Sequence, residues 1–188
     1  MKLGQFLFRH RGVTPYPIVL IFALFAEPTI SSFIGGSVII AIGEALRIWC
    51  VAYLGPDSRK LEVQVNQLVT VGPYSIVRNP IYIGNIILYT GTTVIANLWM
   101  PYFLLFAWLY FGFQYYHIVK LEEKELSEVF GASFYDYLQR TPRFVPNTLS
   151  PIPSAAQQPN YKVALISEKS TFLSIVGILL LFVLRMIF

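Results

Sequence analysis

The sequence predicts an all-α protein: a polytopic membrane helical bundle of about five transmembrane helices, with cytoplasmic loops and an extra C-terminal helix. Three observations carry that expectation: an apolar composition, several apolar segments of membrane-spanning length, and a one-sided distribution of basic residues. Of 188 residues, 55% are hydrophobic and 13% charged, whereas soluble domains average about 45–50% apolar and about 25% charged. Such a balance excludes a disordered chain and argues against a water-soluble globular enzyme.

A spanning helix needs about 20 apolar residues. Residues 15–33 and 37–54 form an expected hairpin around Gly35 and Gly36. Glu27 and Pro28 interrupt the first of these spans, as a proline kinks or ends a helix. Residues 81–97 and 99–116 form a second hairpin with a tight connection near Pro101, and residues 171–188 form a last apolar segment. Twelve of the 14 Lys and Arg residues precede the first span or lie in the two long loops, leaving Arg47 and Arg185 inside spans. By the positive-inside rule, the N-terminus and both long loops, including the one holding Arg59 and Lys60, are cytoplasmic. The basic start followed by an apolar run resembles a signal peptide, but no small-residue cleavage motif follows, so a retained first helix is expected. A Pro-, Ser- and Gln-rich cytoplasmic linker is expected over 147–170, with 171–188 as an added C-terminal anchor and 1–146 as the main domain.

Cys50 is the only cysteine, and His10 and His117 are the only histidines. No intramolecular disulfide or cysteine-based zinc cluster follows, and no metal site is expected. The net charge of +4 is explained by topology, so nucleic acid is not an expected partner. Glu44 and Arg47 are three apart inside a span and share a face. They read either as a structural ion pair or as a place where Arg47 helps to hold an anionic group, since charge within a span is costly.

The loop LVTVGPYSIVRNPIYIG (68–84) holds two backbone bends, Gly72-Pro73 and Asn79-Pro80. Pro80 suits the first turn of a helix, with Asn79 as its expected N-cap. The amides of that turn suit a carboxylate or phosphate. Tyr82, Asn85 and Tyr89 then share a polar face, and Gly84 and Gly91 share another that permits close approach of a second helix or a second copy. After the fourth span, KLEEKELSEVFG (120–131) continues the helix to Gly131, a suitable terminator. Its glutamates are expected mostly to face water, but Glu122 and Glu123 emerge about one turn above the membrane, on the side of the two proline turns. An amide-lined turn beside a glutamate suits a soluble zwitterionic or cationic cofactor, with a lipid reactant entering from the side.

Leu46-Arg47 with Leu54-Gly55, the 68–84 loop, and EEKELSEVFGASFYDYLQRTPRF (122–144) together resemble the isoprenylcysteine carboxyl methyltransferase and phospholipid methyltransferase superfamily of integral membrane enzymes. The resemblance covers about residues 40–146. It implies a helical-bundle enzyme that uses S-adenosyl-L-methionine without a Rossmann domain. The cofactor contacts it implies fall on Leu68, Val69, Tyr74, Asn79, Pro80, Ile81, Tyr82 and Glu122. Asn79 stands where the isoprenylcysteine branch commonly has histidine. For the arginine with which that branch holds its substrate carboxylate, the substitutes are His117 and Lys120, with Arg47 a further substrate-binding candidate. No catalytic residue is assigned, because methyl transfer from a sulfonium depends on holding the reactants in line. The expected acceptor is a lipid or a prenylated small molecule, among membrane lipids, with its oligomeric state open. The alternatives are an NADPH-dependent membrane reductase of sterol-reductase-like type, whose proline-tyrosine segment is similar, and a non-catalytic membrane scaffold or small transporter.

Overall fold

The computed structural model describes residues 2–55, 67–152 and 157–187, and these are helical almost throughout. Arg59 and Lys60 of the expected basic loop lie outside the described residues. A short amphipathic helix, α1 (Lys2–Arg9), lies against the later helix α6, with Gly4 close to the backbone of His117. The next helix, α2 (Tyr16–Phe25), is only ten residues long and stops at Ala26. At 1.5 Å per residue it covers about 15 Å, half of a hydrocarbon core.

Here the structure corrects the expected first hairpin. The chain turns at residues 26–29, where Pro28 breaks the helix, and not at Gly35-Gly36, which sit inside the continuous helix α3 (Ile30–Leu54). Thr29 starts α3 with a reciprocal capping box: its Oγ1 accepts from the Ser32 amide at 3.1 Å, while the Ser32 hydroxyl accepts from the Thr29 amide at 2.9 Å. Gly36 and Gly43 serve packing, whereas Gly35 faces open space. A Cβ on Gly36 would lie 2.5 Å from the Gly91 carbonyl, and one on Gly43 would lie 3.0 Å from that of Gly84. Those partners belong to α5 (Pro80–Ala96), which runs antiparallel to α3. The expected Gly84/Gly91 contact face is therefore occupied within the chain, by α3.

Between these helices lies the single turn α4 (Pro73–Ile76). Pro80 opens α5 as expected, but Asn79 makes no side-chain cap; its Nδ2 points instead to the Arg143 carbonyl at 3.5 Å. A tight connection with Asn97 in the left-handed region leads to α6 (Tyr102–Phe130), which ends at Gly131 (φ +51°). The short helix α7 (Ala132–Arg140) folds back beside it.

The C-terminal part departs from the expected linker and added anchor. Residues 157–160 are tied down, with the Gln157 amide donating to the Leu68 carbonyl at 3.1 Å and the Asn160 amide to the Ala52 carbonyl at 2.7 Å. Asn160 then caps α8 (Tyr161–Ser167), which packs on α3 through Ala164. The last helix, α9 (Lys169–Ile187), exposes one flank but buries Phe182 against Phe22, and Arg185 donates to the Ala26 carbonyl at 3.0 Å. By length and composition, α3 and α9 are long and apolar enough to cross a membrane, while α2 and α5 are shorter apolar helices. Helix length and composition alone therefore account for two crossings.

Candidate functional site

One cavity of about 630 Å³ runs along the interior of the bundle, within the range of small-molecule sites. Its wall is built from repeating helical stripes. On α5 the lining positions Tyr82, Asn85, Tyr89 and Thr93 span about 16 Å at 1.5 Å per residue. On α6 they are Phe111, Tyr115, Glu122 and Leu126, one face at helical spacing.

Seven of the eight expected cofactor positions meet at this cavity: Leu68, Val69, Tyr74, Asn79, Ile81, Tyr82 and Glu122. Pro80 is buried but does not line it; its ring sets the backbone at the start of α5. Of the expected acceptor-binding residues, Arg47 lines the cavity, while His117 and Lys120 do not. Helical phase is the reason, because positions 117 and 120 fall off the face defined by 115, 122 and 126. The His117 ring instead packs on Phe113 and Tyr116 at 4.5 and 5.4 Å, and Lys120 is exposed.

The loop that carries Tyr74 is held from several sides. Gly72 has φ +59°, and a Cβ there would sit 2.5 Å from the Tyr53 ring, so glycine fits both the backbone and the space. Its amide donates to the Ile152 carbonyl at 3.0 Å, and the Tyr137 hydroxyl donates to the Tyr74 carbonyl at 2.6 Å. Arg78 donates through Nε to Glu123 at 3.0 Å and through Nη1 to the carbonyls of Leu138 and Thr141. Arg143 adds a bidentate pair to the same Glu123, at 3.1 and 2.6 Å. Glu123, expected on the side of the two proline turns, is the clamp that joins the proline loop, α6 and the segment after α7.

Glu122 faces the opposite way, into the cavity. It accepts from the Tyr82 hydroxyl at 2.7 Å and lies 3.8 Å from the Arg11 guanidinium. Burial pushes its carboxyl up to about 7, although the Tyr82 hydrogen bond and the Arg11 charge pull it down. Tyr82 also lies against Tyr115, ring centroids 4.7 Å apart. The Tyr74 hydroxyl is buried and has no hydrogen-bond partner among the described residues, and burial raises its ionisation well above the usual phenol value.

Arg47 occupies a second polar layer. Its Nη2 donates to both carboxylate oxygens of Glu168 at 2.8 Å, and Glu44 lies 3.6 Å from its Nε. Asn85 accepts from Nη1, and Thr171 accepts at 3.4 Å. The expected Glu44–Arg47 pair is thus present, but Glu168 is the nearer partner. Sequence reasoning missed Glu168 and Arg11. Glu168, the acid before the last apolar helix, was readable as a partner for an intramembrane arginine; Arg11 left no signal beyond its charge. Among the described residues, no group of three or more His, Cys, Asp or Glu side chains is arranged to hold a metal ion.

Sequence comparison places this bundle in a family. The phospholipid methyltransferase family matches residues 31–133, more than half of the chain, and the chain belongs to that family. Among curated relatives, the cobalt-zinc-cadmium resistance protein CzcN of Cupriavidus metallidurans is 28% identical over 77% of this chain and 67% of its own length. The nickel-cobalt-cadmium resistance protein NccN of Alcaligenes xylosoxydans xylosoxydans is 34% identical over 53% of this chain and 43% of its own. Protein-S-isoprenylcysteine O-methyltransferase B of Arabidopsis thaliana is 33% identical over 62% of this chain and 59% of its own. The aligned stretches thus cover between two fifths and two thirds of the relatives' lengths. No solved structure matches.

Proposed function

We propose that the protein is an integral membrane methyltransferase that uses S-adenosyl-L-methionine and methylates a lipid-like acceptor at the cytoplasmic face. The observation that carries this reading is the convergence of Tyr74, Tyr82 and Glu122 on one cavity in a chain of the phospholipid methyltransferase family. The residues present fit the cofactor. Tyr74 brings an orphaned hydroxyl, Glu122 a carboxylate for a hydroxyl or amino group, and Tyr82 and Tyr115 bring ring faces that stabilise a cation. Bound there, S-adenosyl-L-methionine supplies a methyl group activated by a sulfonium.

The chain's own part is positioning and exclusion of water. Glu122 holds the Tyr82 hydroxyl, which fixes the Tyr82 ring against Tyr115. The Glu123 clamp holds the loop that brings Tyr74 into the wall. Tyr74, Tyr82 and Glu122 would hold the cofactor in the cavity, and an acceptor in the same cavity would be presented in line with the methyl group that the cofactor would supply. An acceptor carboxylate is ionised at pH 7 and needs no base. The membrane family and the confinement of most basic residues to the N-terminus and the two long loops of the sequence support five crossings with the N-terminus, proline loop and glutamate pair cytoplasmic. Membership of a methyltransferase family favours this reading over the reductase and scaffold alternatives.

The test is methyl transfer by purified full-length protein from methyl-labelled S-adenosyl-L-methionine to a membrane lipid extract. The expected result is label in the lipid fraction, falling about tenfold or more in both Tyr82→Ala and Glu122→Gln as hydrogen-bonded contacts are lost. No label from the folded wild-type protein contradicts the reading.

A further inference from the structure

The cavity wall stays polar beyond Tyr82. Asn85, Tyr89 and Thr92 of α5 line it, and so do Ser170, Thr171 and Ser174 of α9. Tyr89 stands seven residues along α5 from Tyr82, about 10 Å deeper at 1.5 Å per residue. Its ring stacks on Phe111, with centroids 3.7 Å apart.

A chain of hydrogen bonds leads to Tyr89 from the buried arginine. Arg47 Nη1 donates to Asn85 Oδ1, and the Asn85 side chain also hydrogen-bonds the Tyr115 hydroxyl. The hydroxyls of Tyr115 and Tyr89 lie 3.5 Å apart. The direction of this chain is fixed at its start. A guanidinium has donors and no acceptor, so Asn85 turns its oxygen to Arg47 and is left with its NH2 group for Tyr115. The Tyr115 oxygen then accepts, its proton goes to the Tyr89 oxygen, and the Tyr89 proton is left over. Among the described residues the Tyr89 hydroxyl has no other hydrogen-bond partner. Arg47 itself is matched by Glu168 at 2.8 Å and Glu44 at 3.6 Å, so this layer has no positive charge to spare for an anion.

We infer that Tyr89 is a hydrogen-bond donor of fixed polarity in the deeper part of the cavity, and that it seats the uncharged carbonyl oxygen of a lipid. A carbonyl accepts without donating, which suits a single donor. Asn85 and Tyr115 are positioning residues, because they set which way the Tyr89 proton is given. That the seated lipid is the methyl acceptor rests on the methyltransferase reading; the seat itself is tested apart from it.

The probe is a long-chain methyl ketone with an isotopically labelled carbonyl and a photoactivatable diazirine at the tail end, applied to the full chain in detergent. After capture and removal of free probe, infrared spectroscopy reads the carbonyl stretch, and mass spectrometry reads the amount and position of capture. The wild-type protein is expected to capture the probe on cavity-lining peptides, with the carbonyl band at the lowered frequency of a hydrogen-bonded ketone. Tyr89→Phe keeps the stacked ring. It is expected to capture about two- to tenfold less at limiting probe, as loss of one neutral hydrogen bond implies, with the band at the free-carbonyl frequency. Asn85→Asp is the sharper test. A carboxylate only accepts, so it takes protons from both Arg47 and Tyr115; Tyr115 then accepts from Tyr89, and the donor is withdrawn from the cavity. The band is expected to move as in Tyr89→Phe, although the Tyr89 hydroxyl is still there. No capture in the cavity overturns the inference, as does a free-carbonyl band in the wild-type protein. A lowered band that survives Tyr89→Phe, or survives in folded Asn85→Asp, overturns it too; if Asn85→Asp does not fold, Tyr89→Phe decides alone. Binding of S-adenosyl-L-methionine is measured on the same wild-type sample. Its absence beside the expected bands sinks the methyltransferase reading and leaves the seat; its presence without them does the reverse.

Discussion

Removing Glu168 tests whether α9 belongs to the folded core. Its carboxylate is fully buried and accepts with both oxygens from Arg47 Nη2 at 2.8 Å, so Glu168→Ala leaves the guanidinium buried with Glu44, at 3.6 Å, as the opposite charge among the described residues. Breaking one side of a buried pair costs about 3–5 kcal/mol. The retained Glu44 and the neutral partners Asn85 and Thr171 put this case at the lower end, about 3 kcal/mol. For a chain of this length that is a fall in midpoint of roughly 6–12 °C. Thermal unfolding of the detergent-purified protein, followed by circular dichroism, measures it. The triple replacement Glu44→Gln, Arg47→Met, Glu168→Leu removes the charges together and is expected to recover most of the loss, because packed apolar side chains often match a buried ion cluster. A Glu168→Ala protein within about 0.5 kcal/mol of wild type, or a triple variant as unstable as the single one, refutes the reasoning.

Three further outcomes are expected. Gly91→Val forces a side chain to within 2.6 Å of the Gly36 carbonyl and destabilises the protein by about 1–3 kcal/mol or more, whereas Gly112→Ala, in open space, is neutral or slightly stabilising in the same unfolding assay. Glu123→Ala removes the carboxylate that Arg78 and Arg143 share, leaving Arg78 on the Leu138 and Thr141 carbonyls; it costs about 1–3 kcal/mol and makes the 68–79 loop more cleavable in limited proteolysis. With the Glu122 carboxyl at about 7, binding of a cationic cofactor to the ionised form strengthens as pH rises through that value, by at most about tenfold per unit; calorimetry across pH 6–8 reads it, and Glu122→Gln flattens the profile. In the free protein the sign is opposite: the neutral carboxyl is favoured, so stability is lost as pH rises from the usual glutamate range near 4.3 towards about 7.

Local chemistry was legible where one residue type fixes the backbone. Pro80 marked the start of α5 and Gly131 the end of α6, and both stand where expected. The polar stripe Tyr82, Asn85, Tyr89 was legible for the same reason, since helical spacing alone puts these side chains on one face. Gly35-Gly36 misled because a glycine suits a turn and a close helix contact equally well, and only the approach of α5 to Gly36 decides between them. Asn79 misled because its amide found the Arg143 carbonyl, a contact 64 residues away. Glu168 and Arg11 escaped notice because their partners, Arg47 and Glu122, lie more than 100 residues away in the chain. His117 and Lys120 were close to Glu122 in number but not in helical phase, and only the faces of α6 separate them from the site.

The central claim, a cofactor held against Tyr82 and Glu122 in the cavity, is tested most directly by calorimetric titration of the detergent-purified protein with S-adenosyl-L-methionine, beside Glu122→Gln and Tyr82→Ala. The account predicts saturable binding that weakens about tenfold or more in each variant. Folded wild-type protein that binds no S-adenosyl-L-methionine, or variants that bind it as tightly as wild type, contradicts the claim.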